Sequence, residues 1–248
     1  MKQIKYFFQY IIILFLFVIF KILGIKYSSI LSGHITKIFG PLFRSSKVSS
    51  SNLTRALPNL REDQKKDILK KMWNNYGIIL AEYMFLKNFR TSLEYQKKIK
   101  IINKEILEKI ALDKKPVIFV SGHFNNFELM AMQIEKSGVD LAAIYRPLNN
   151  IFLNPIMERI RKKYICKNQI KKGIAGTKEL IKCFRQNISI ALMVDQRVSE
   201  GISSNFFNKA ALTTTLPAQF VKKFNIEIVP VYIERFNNNN FTIEFSKP

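Results

Sequence analysis

Pro116-Val117-Ile118-Phe119-Val120-Ser121-Gly122-His123-Phe124-Asn125-Asn126-Phe127-Glu128 passes from an apolar run, through a short polar loop, into the start of a helical pattern. Pro116 to Val120 has the length and composition of a buried strand. The same alternation extends to either side. Short apolar runs at 99–102, 116–121, 139–145, 188–194 and 226–234 are separated by helical stretches at 104–112, 126–137, 149–163, 176–186 and 214–224. Asn237 to Asn240 reads as a turn before a last strand, Phe241 to Phe245. Strands separated by single helices predict an α/β fold with a largely parallel sheet flanked by helices. In such sheets ligands bind beyond the carboxyl ends of the strands, which is where His123 falls.

The spacing of His123 and Glu128 restricts how they can meet. Residues five apart on a continuous helix point about 140° apart. The two approach only if the chain turns between them, with His123 on the loop and Glu128 in the first helical turn. A carboxylate behind an imidazole would fix its tautomer and leave the other ring nitrogen free to take a proton from a hydroxyl. The alternative is a loop histidine with no chemical role, and spacing alone does not choose between them. Ser121 is conceivable as a nucleophile, but its surroundings lack a nucleophile-elbow pattern. No second His or paired Cys lies nearby to make a transition-metal site.

The N-terminus has a different character. Tyr10 to Phe20 is uninterruptedly apolar, and Tyr6 to Ile25 contains only Gln9 and Lys21 as strongly polar residues. A spanning helix needs about 20 residues, and Lys21 can snorkel to the interface. No small-residue cleavage site follows, so 1–25 is expected to be a retained anchor helix. Lys2 and Lys5 on one flank are matched by Lys21 and Lys26 on the other, which leaves spanning and single-leaflet readings both open. Residues 26–50 are Ser-rich and basic with no clear periodicity, and are expected to lie against the membrane. Asn59 followed by Glu62 suggests a capped helix start. From there Ile68, Met72, Trp73, Tyr76, Ile79, Leu80 and Tyr83 recur at helical spacing to about Leu86.

Composition narrows the function further. The chain has 248 residues and a net charge of +22, with 48% apolar residues, two Cys and two His. That apolar content excludes a disordered polycation. Cys166 and Cys183 make no disulfide framework, consistent with a reducing compartment. With only His34 and His123, mechanisms needing several imidazoles are excluded. So large a positive charge faces an anionic partner, nucleic acid or a membrane surface. Lys65-Lys66 and Lys70-Lys71 recur on one helix, the pattern of a solvated face.

Ser121 to Leu129 resembles the His-x4-Glu block of the lipid A late acyltransferases, the lauroyl/myristoyl transferases of lipopolysaccharide synthesis. The likeness continues in order through Asn52-Leu53 with Ala56-Leu57-Pro58, Tyr145-Arg146-Pro147 with Asn149, Asp195-Gln196, Phe206-Phe207, and Ala211 with Thr213-Thr214-Thr215. The anchor fits the same pattern. The family usually has Gly where this chain has Asn125, Asn208 and Leu216, Trp at Phe127 and Pro at Val194. Asn tolerates positive φ best after Gly, so two of those turns should persist. Leu216 leaves the shape of the Thr-rich loop open. Family members also run further at the C-terminus, so residues 51–248 are expected to form the catalytic domain, with truncation as one reading of its end.

The resemblance implies a glycerolipid-acyltransferase-like fold and transfer of a fatty acyl chain from acyl carrier protein to a hydroxyl of the phosphorylated lipid A precursor. It implies His123 as general base with Glu128 as its partner, no metal and no cofactor. Arg146, at the end of strand 139–145, would hold the oxyanion or a phosphate, and Asp195 with Gln196 would shape the same site. An acidic carrier, a phosphorylated lipid and an anionic membrane surface account for the charge. The placement implied is the bacterial inner membrane, catalytic domain on the cytoplasmic face. The rivals are a glycerophospholipid acyltransferase, a phosphoinositide-mannoside acyltransferase of the same superfamily, and a membrane-tethered nucleic-acid-binding protein. The glycerophospholipid enzymes carry Asp at the Glu128 position and a Pro-Glu-Gly-Thr block absent here, and no nucleic-acid-binding motif is found, so no nucleic-acid partner is expected.

Overall fold

The structure is a computed structural model that describes residues 2–43, 46–196, 198–199, 201–237 and 239–248. Its helices are α1 Lys2–Phe43, α2 Ser46–Ala56, α3 Glu62–Glu82, α4 Leu86–Thr91, α5 Leu93–Gln96, α6 Lys104–Asp113, α7 Glu128–Lys136, α8 Asn154–Tyr164, α9 Ile174–Arg185 and α10 Leu216–Phe224. Its strands are β1 Ile99–Ile102, β2 Ile118–Ser121, β3 Leu141–Tyr145, β4 Asn168–Lys171, β5 Ser189–Met193, β6 Ile202–Phe206, β7 Lys209–Thr213, β8 Ile228–Phe236 and β9 Asn240–Phe245. They form two compact units, one of 1–13, 86–204 and 212–248, the other of 14–85 and 205–211.

The first unit is built on a seven-stranded sheet in the order β1-β9-β8-β2-β5-β3-β4. Strands β8, β2, β5, β3 and β4 are mutually parallel, whereas β9 runs antiparallel to β8 and carries β1 parallel to itself. The expected largely parallel α/β sheet is therefore present. Alternation along β2 divides the core between the two faces. Ile118 joins Ala142, Ile170 and Ile190 beneath Leu180, Phe184 and Phe220 of α9 and α10. Phe119 points the other way, with its ring 6.2 Å from that of Phe245. On β9, Phe241, Ile243 and Phe245 recur at period two and are all fully buried, and Phe241 meets Phe89 of α4 edge to face at 5.6 Å. Arg90 of α4 ties helices together, forming an ion pair with Glu135 of α7 and donating to the Tyr164 and Ile165 carbonyls at the end of α8.

The second unit is helical. α1 breaks at Gly24, whose φ of 71° and ψ of 168° lie outside the helical region. Before the break, Lys2–Leu23 measures about 33 Å at 1.5 Å per residue, comparable to a hydrocarbon core. After it, residues 26–43 are helical, and Ser28, Ser29 and Ser32 are buried. The Ser-rich composition thus makes a packing seam. Thr36 Oγ1 donates to the Trp73 carbonyl of α3 at 2.8 Å, and a Cβ on Gly77 would lie 2.1 Å from Thr36 Oγ1 and 2.2 Å from the Ser32 carbonyl. Small residues let the two backbones approach this closely.

α3 starts at Glu62, three residues beyond Asn59. Arg61 is the N-cap, and its backbone N–H donates to Gln64 Oε1 at 2.9 Å. Among the lysines of α3, Lys65 is buried and paired with Glu62 at 2.8 Å, whereas Lys66, Lys70 and Lys71 are exposed. In the Asn237–Asn240 turn, Asn238 lies outside the described residues.

The Gly77 contact carries a prediction of sign. At an open helical site Gly→Ala stabilises by about 0.4–1 kcal/mol, but here the added methyl meets backbone and should cost about 1–3 kcal/mol as overpacking. Thermal unfolding of Gly77→Ala in detergent, followed by circular dichroism, should show a lower midpoint than wild type. An equal or higher midpoint would show that the seam is not close-packed.

Candidate active site

Strand register builds the site. In the parallel pair β2–β5, Ser121 lies opposite Met193, so the residues two further on, His123 and Asp195, leave the sheet side by side. His123 Nδ1 lies 2.7 Å from Asp195 Oδ1, and the His123 backbone N–H donates to Asp195 Oδ2 at 2.8 Å. On the other side of the ring, Nε2 lies 3.2 Å from Gln196 Nε2. One proton assignment satisfies every contact: Nδ1–H donates to Asp195, and the Nε2 lone pair accepts from the Gln196 amide. The basic atom is then Nε2, on a side chain that is 31% exposed. The ring of Phe127 meets the imidazole edge to face at 4.7 Å and restricts its tilt.

Two features hold this arrangement. Gly122 leaves space, since a Cβ there would come within 2.9 Å of the Phe124 ring and 3.3 Å of Asp195 Oδ2. Burial works to raise the Asp195 pKa, but the backbone N–H, ring and charge of His123 outweigh it and hold the carboxyl below its ordinary value. Asp195 therefore stays ionised and keeps accepting from the ring.

The partner expected for His123 is not the one found. Glu128, in the first turn of α7, is buried and bound by Arg161 of α8, whose Nε and terminal guanidinium nitrogen both lie 2.8 Å from Glu128 Oε1. Arg161 also lies over the ring of Tyr145, 5.6 Å from its centroid. Proximity in sequence points to Glu128, whereas the structure places Asp195 at His123 Nδ1. The loop does turn between residues 123 and 128, but α7 carries Glu128 toward α8, and the strand partner supplies the acid that meets the imidazole. Arg161 carried no local signal, lying on another helix 33 residues from Glu128.

The remaining candidates fall in distinct places. Arg146 follows β3, is exposed, and has no hydrogen-bond or ion-pair partner among the described residues. It leaves the same sheet edge as His123 and Asp195, since β3 is the next parallel neighbour of β5. Ser121 is occupied, its hydroxyl donating to the Val231 carbonyl at 2.6 Å, a poor arrangement for a nucleophile. His34 is on α1, with Nδ1 2.8 Å from the Ile30 carbonyl. Both cysteines are free and buried, and burial pushes the Cys166 thiol up to about 12. Among the described residues no group of His, Cys, Asp and Glu could hold a metal ion.

The β3–α8 loop is locked by the motif residue Tyr145 and by Asn150, Asn154 and Glu158, which the sequence did not single out. Tyr145 donates to Glu158 Oε1 at 2.6 Å, and Asn154 joins Glu158 to the Leu148 backbone. Burial first, then the bond to Glu158, raises the Tyr145 pKa, so the phenol stays a donor. Asn150, adjacent to the motif residue Asn149, accepts from the Phe152 and Leu153 N–H groups and donates to the Tyr6 carbonyl of α1. Asn126 is fully buried, and its side-chain amide has no hydrogen-bond partner among the described residues; nothing in the structure explains it.

A family model described as the bacterial lipid A biosynthesis acyltransferases matches residues 1–248 of this chain. The chain belongs to that family. No curated protein matches its sequence. In this lipid A biosynthesis acyltransferase the departures from the family pattern are accommodated locally. Asn125 and Asn208 have φ of 43° and 56°, the region for which Asn is the best substitute for Gly. Leu216 starts α10 without a positive φ, and its N–H donates to Thr214 Oγ1 at 3.3 Å, so the Thr-rich loop closes as an ordinary helix start.

The Glu128–Arg161 pair predicts a separation of stability from chemistry. Removing one member of a buried pair strands the other charge and costs about 3–5 kcal/mol. Glu128→Gln should therefore lower the unfolding midpoint sharply, and adding Arg161→Met should recover most of the loss. A Glu128→Gln protein as stable as wild type but inactive would instead return Glu128 to the chemistry.

Proposed function

We propose that this acyltransferase moves a fatty acyl chain from an acyl carrier protein thioester to a hydroxyl of the phosphorylated lipid A precursor, with His123 as general base. The observation that carries this reading is the His123 ring, gripped by Asp195 at Nδ1 and presenting a basic Nε2, at the carboxyl edge of a sheet in a chain that the family covers from end to end. The acceptor hydroxyl takes the position on Nε2 that the Gln196 amide now occupies. Its oxygen attacks the thioester carbonyl carbon as its proton passes to Nε2, giving a tetrahedral oxyanion. Collapse re-forms the carbonyl and breaks the carbon–sulfur bond, and the imidazolium returns its proton to the departing thiolate. Asp195 stabilises that imidazolium and fixes the tautomer.

The oxyanion needs positioned donors. The Gln196 amide, displaced from Nε2, is one candidate, and the unpaired Arg146 guanidinium is another. Arg146 serves equally to bind a phosphate of the acceptor, because its planar fork suits both. Glu128 acts at one remove, fixing the start of α7 and hence the loop that carries His123. Residues 1–25 act as the anchor, holding the site at the surface where its lipid acceptor lies. One helix among the described residues is long and apolar enough to cross a membrane.

Reconstituted with acyl carrier thioesters and the Kdo-bearing lipid A precursor, the wild-type protein should form the acylated product. His123→Ala should lose about 10²–10⁴-fold, the usual worth of a general base. Asp195→Asn should fall by at least about 10²-fold with the fold intact, because an amide no longer enforces the productive tautomer. Undiminished transfer by His123→Ala would sink the mechanism.

The acyl carrier is a cytosolic protein, so the same reading places the sheet unit on the cytoplasmic face. Protease added to right-side-out cells should spare the chain from Leu86 onward, and protease added to inverted vesicles should cut it. The opposite pattern would reverse the orientation.

A further inference from the structure

The β6–β7 hairpin is built at odds with water. It is a two-stranded sheet of its own, and such hairpins are marginal in water without an apolar face to cover them. Ile202, Phe206, Phe207 and Leu212 are 59%, 64%, 50% and 39% exposed. Phe206 and Phe207 meet edge to face, 4.6 Å apart, at the tip. The turn is also strained. Its central residues Phe207 and Asn208 both have positive φ, 48° and 56°, as a two-residue hairpin turn of primed type requires. Asn suits that conformation. A bulky aromatic does not, and such outliers collect where the exposed group serves a function.

The surroundings name the occupant. The tip, 205–211, belongs to the same compact unit as residues 14–43 of the apolar helix, on which Ile22, Ile38 and Leu42 are 80%, 66% and 79% exposed. Lys209 flanks the aromatic pair, and no acidic residue occurs between Gly201 and Ile226, which also holds Lys222 and Lys223. Aromatic rings beside lysines are the pattern of a surface that enters the headgroup layer of an anionic bilayer.

We propose that the β6–β7 tip is a second membrane contact, which inserts Phe206 and Phe207 into the interfacial layer of an anionic lipid surface with Lys209 at the headgroups. This rests on the reading of α1 as a membrane segment. The hairpin would steady the catalytic unit at the bilayer, and the strain at Phe207 is the structural cost of directing its ring outward.

The test uses the full chain in vesicles of phosphatidylethanolamine and phosphatidylglycerol. Trp73 is the one native tryptophan, so Trp73→Phe with Phe207→Trp gives a single reporter at the tip. Lipids brominated high on the acyl chain should quench its emission about two-fold while aqueous iodide has little effect, as for a side chain at the interface. The control Leu112→Trp, at an 81% exposed site on α6, should respond in the opposite way. If Trp73→Phe disturbs the fold, Phe206→Cys carries an environment-sensitive label instead, because Cys166 and Cys183 are buried. A tip reporter open to iodide and untouched by brominated lipid overturns the proposal. Where the chain floats with the vesicles the anchor reading survives that result; where it does not float, both readings fail together.

Discussion

The hydrogen-bond register of β2 against β5 is the constraint on which the site depends. Parallel pairing holds residues at matched heights, and Ser121 opposite Met193 delivers His123 and Asp195 to one point above the sheet. Neither residue needs help from a long loop. Each leaves its strand two positions beyond the last pair, so the imidazole and the carboxylate inherit the rigidity of two central strands. A slip by one residue would reverse which side chains of β2 face each layer, sending Ile118 and Phe119 to the wrong cores. The packing of both faces therefore protects the geometry of the pair.

Glu128 and Arg161 secure a different degree of freedom. The strand fixes where the loop begins, and the start of α7 fixes where it ends. A carboxylate in the first helical turn is favoured by the helix dipole, and here it is also held by a guanidinium that lies over Tyr145. The loop from Gly122 to Phe127 is thus pinned at both ends, by ladder hydrogen bonds on one side and a buried ion pair on the other. The glutamate five residues from the histidine anchors the far end of the loop through Arg161. Residue type and position are those a catalytic partner would need, but the direction of the helix sends the side chain elsewhere.

What was legible in the sequence follows from how strongly each segment is buried. β2, β3, β5 and β8 are runs of apolar residues and β9 alternates apolar with polar ones, so their positions are legible to within two residues. β4 was missed because Asn168-Gln169-Ile170-Lys171 offers one buried side chain at the sheet edge. The hairpin was missed because neither of its strands alternates between buried and exposed faces. In the candidate site, the positions of His123, Asp195, Gln196 and Arg146 just beyond strand ends are legible in the sequence. Their pairing is not, because it depends on which strands are neighbours, and the order β2-β5-β3 skips across the sequence. The helical packing within the Ser-rich segment 26–50 is hidden from the sequence for a related reason. Small residues at a close helix crossing show no hydrophobic period, and Ser32 looks like a surface residue until Gly77 is seen against its carbonyl.

Positive φ separates local accommodation from functional strain. Of the non-glycine residues in that region, Asn103, Asn125, Asn187, Asn208, Asn225 and Asn239 are asparagines, whose short polar side chain tolerates the left-handed conformation. Asparagine makes these turns at little cost, beside the positive-φ glycines Gly24, Gly138 and Gly173, and they imply nothing about function beyond the loops they close. Lys114 ends α6, where a left-handed residue is an ordinary terminus. Phe207 is the exception, because an aromatic side chain gains nothing from the conformation and its ring is left half in solvent. Any relaxed two-residue turn would close the hairpin equally well, so the folded chain in water supplies no reason for phenylalanine there. A reason must come from what surrounds the chain, and the proposed contact with a lipid surface supplies one.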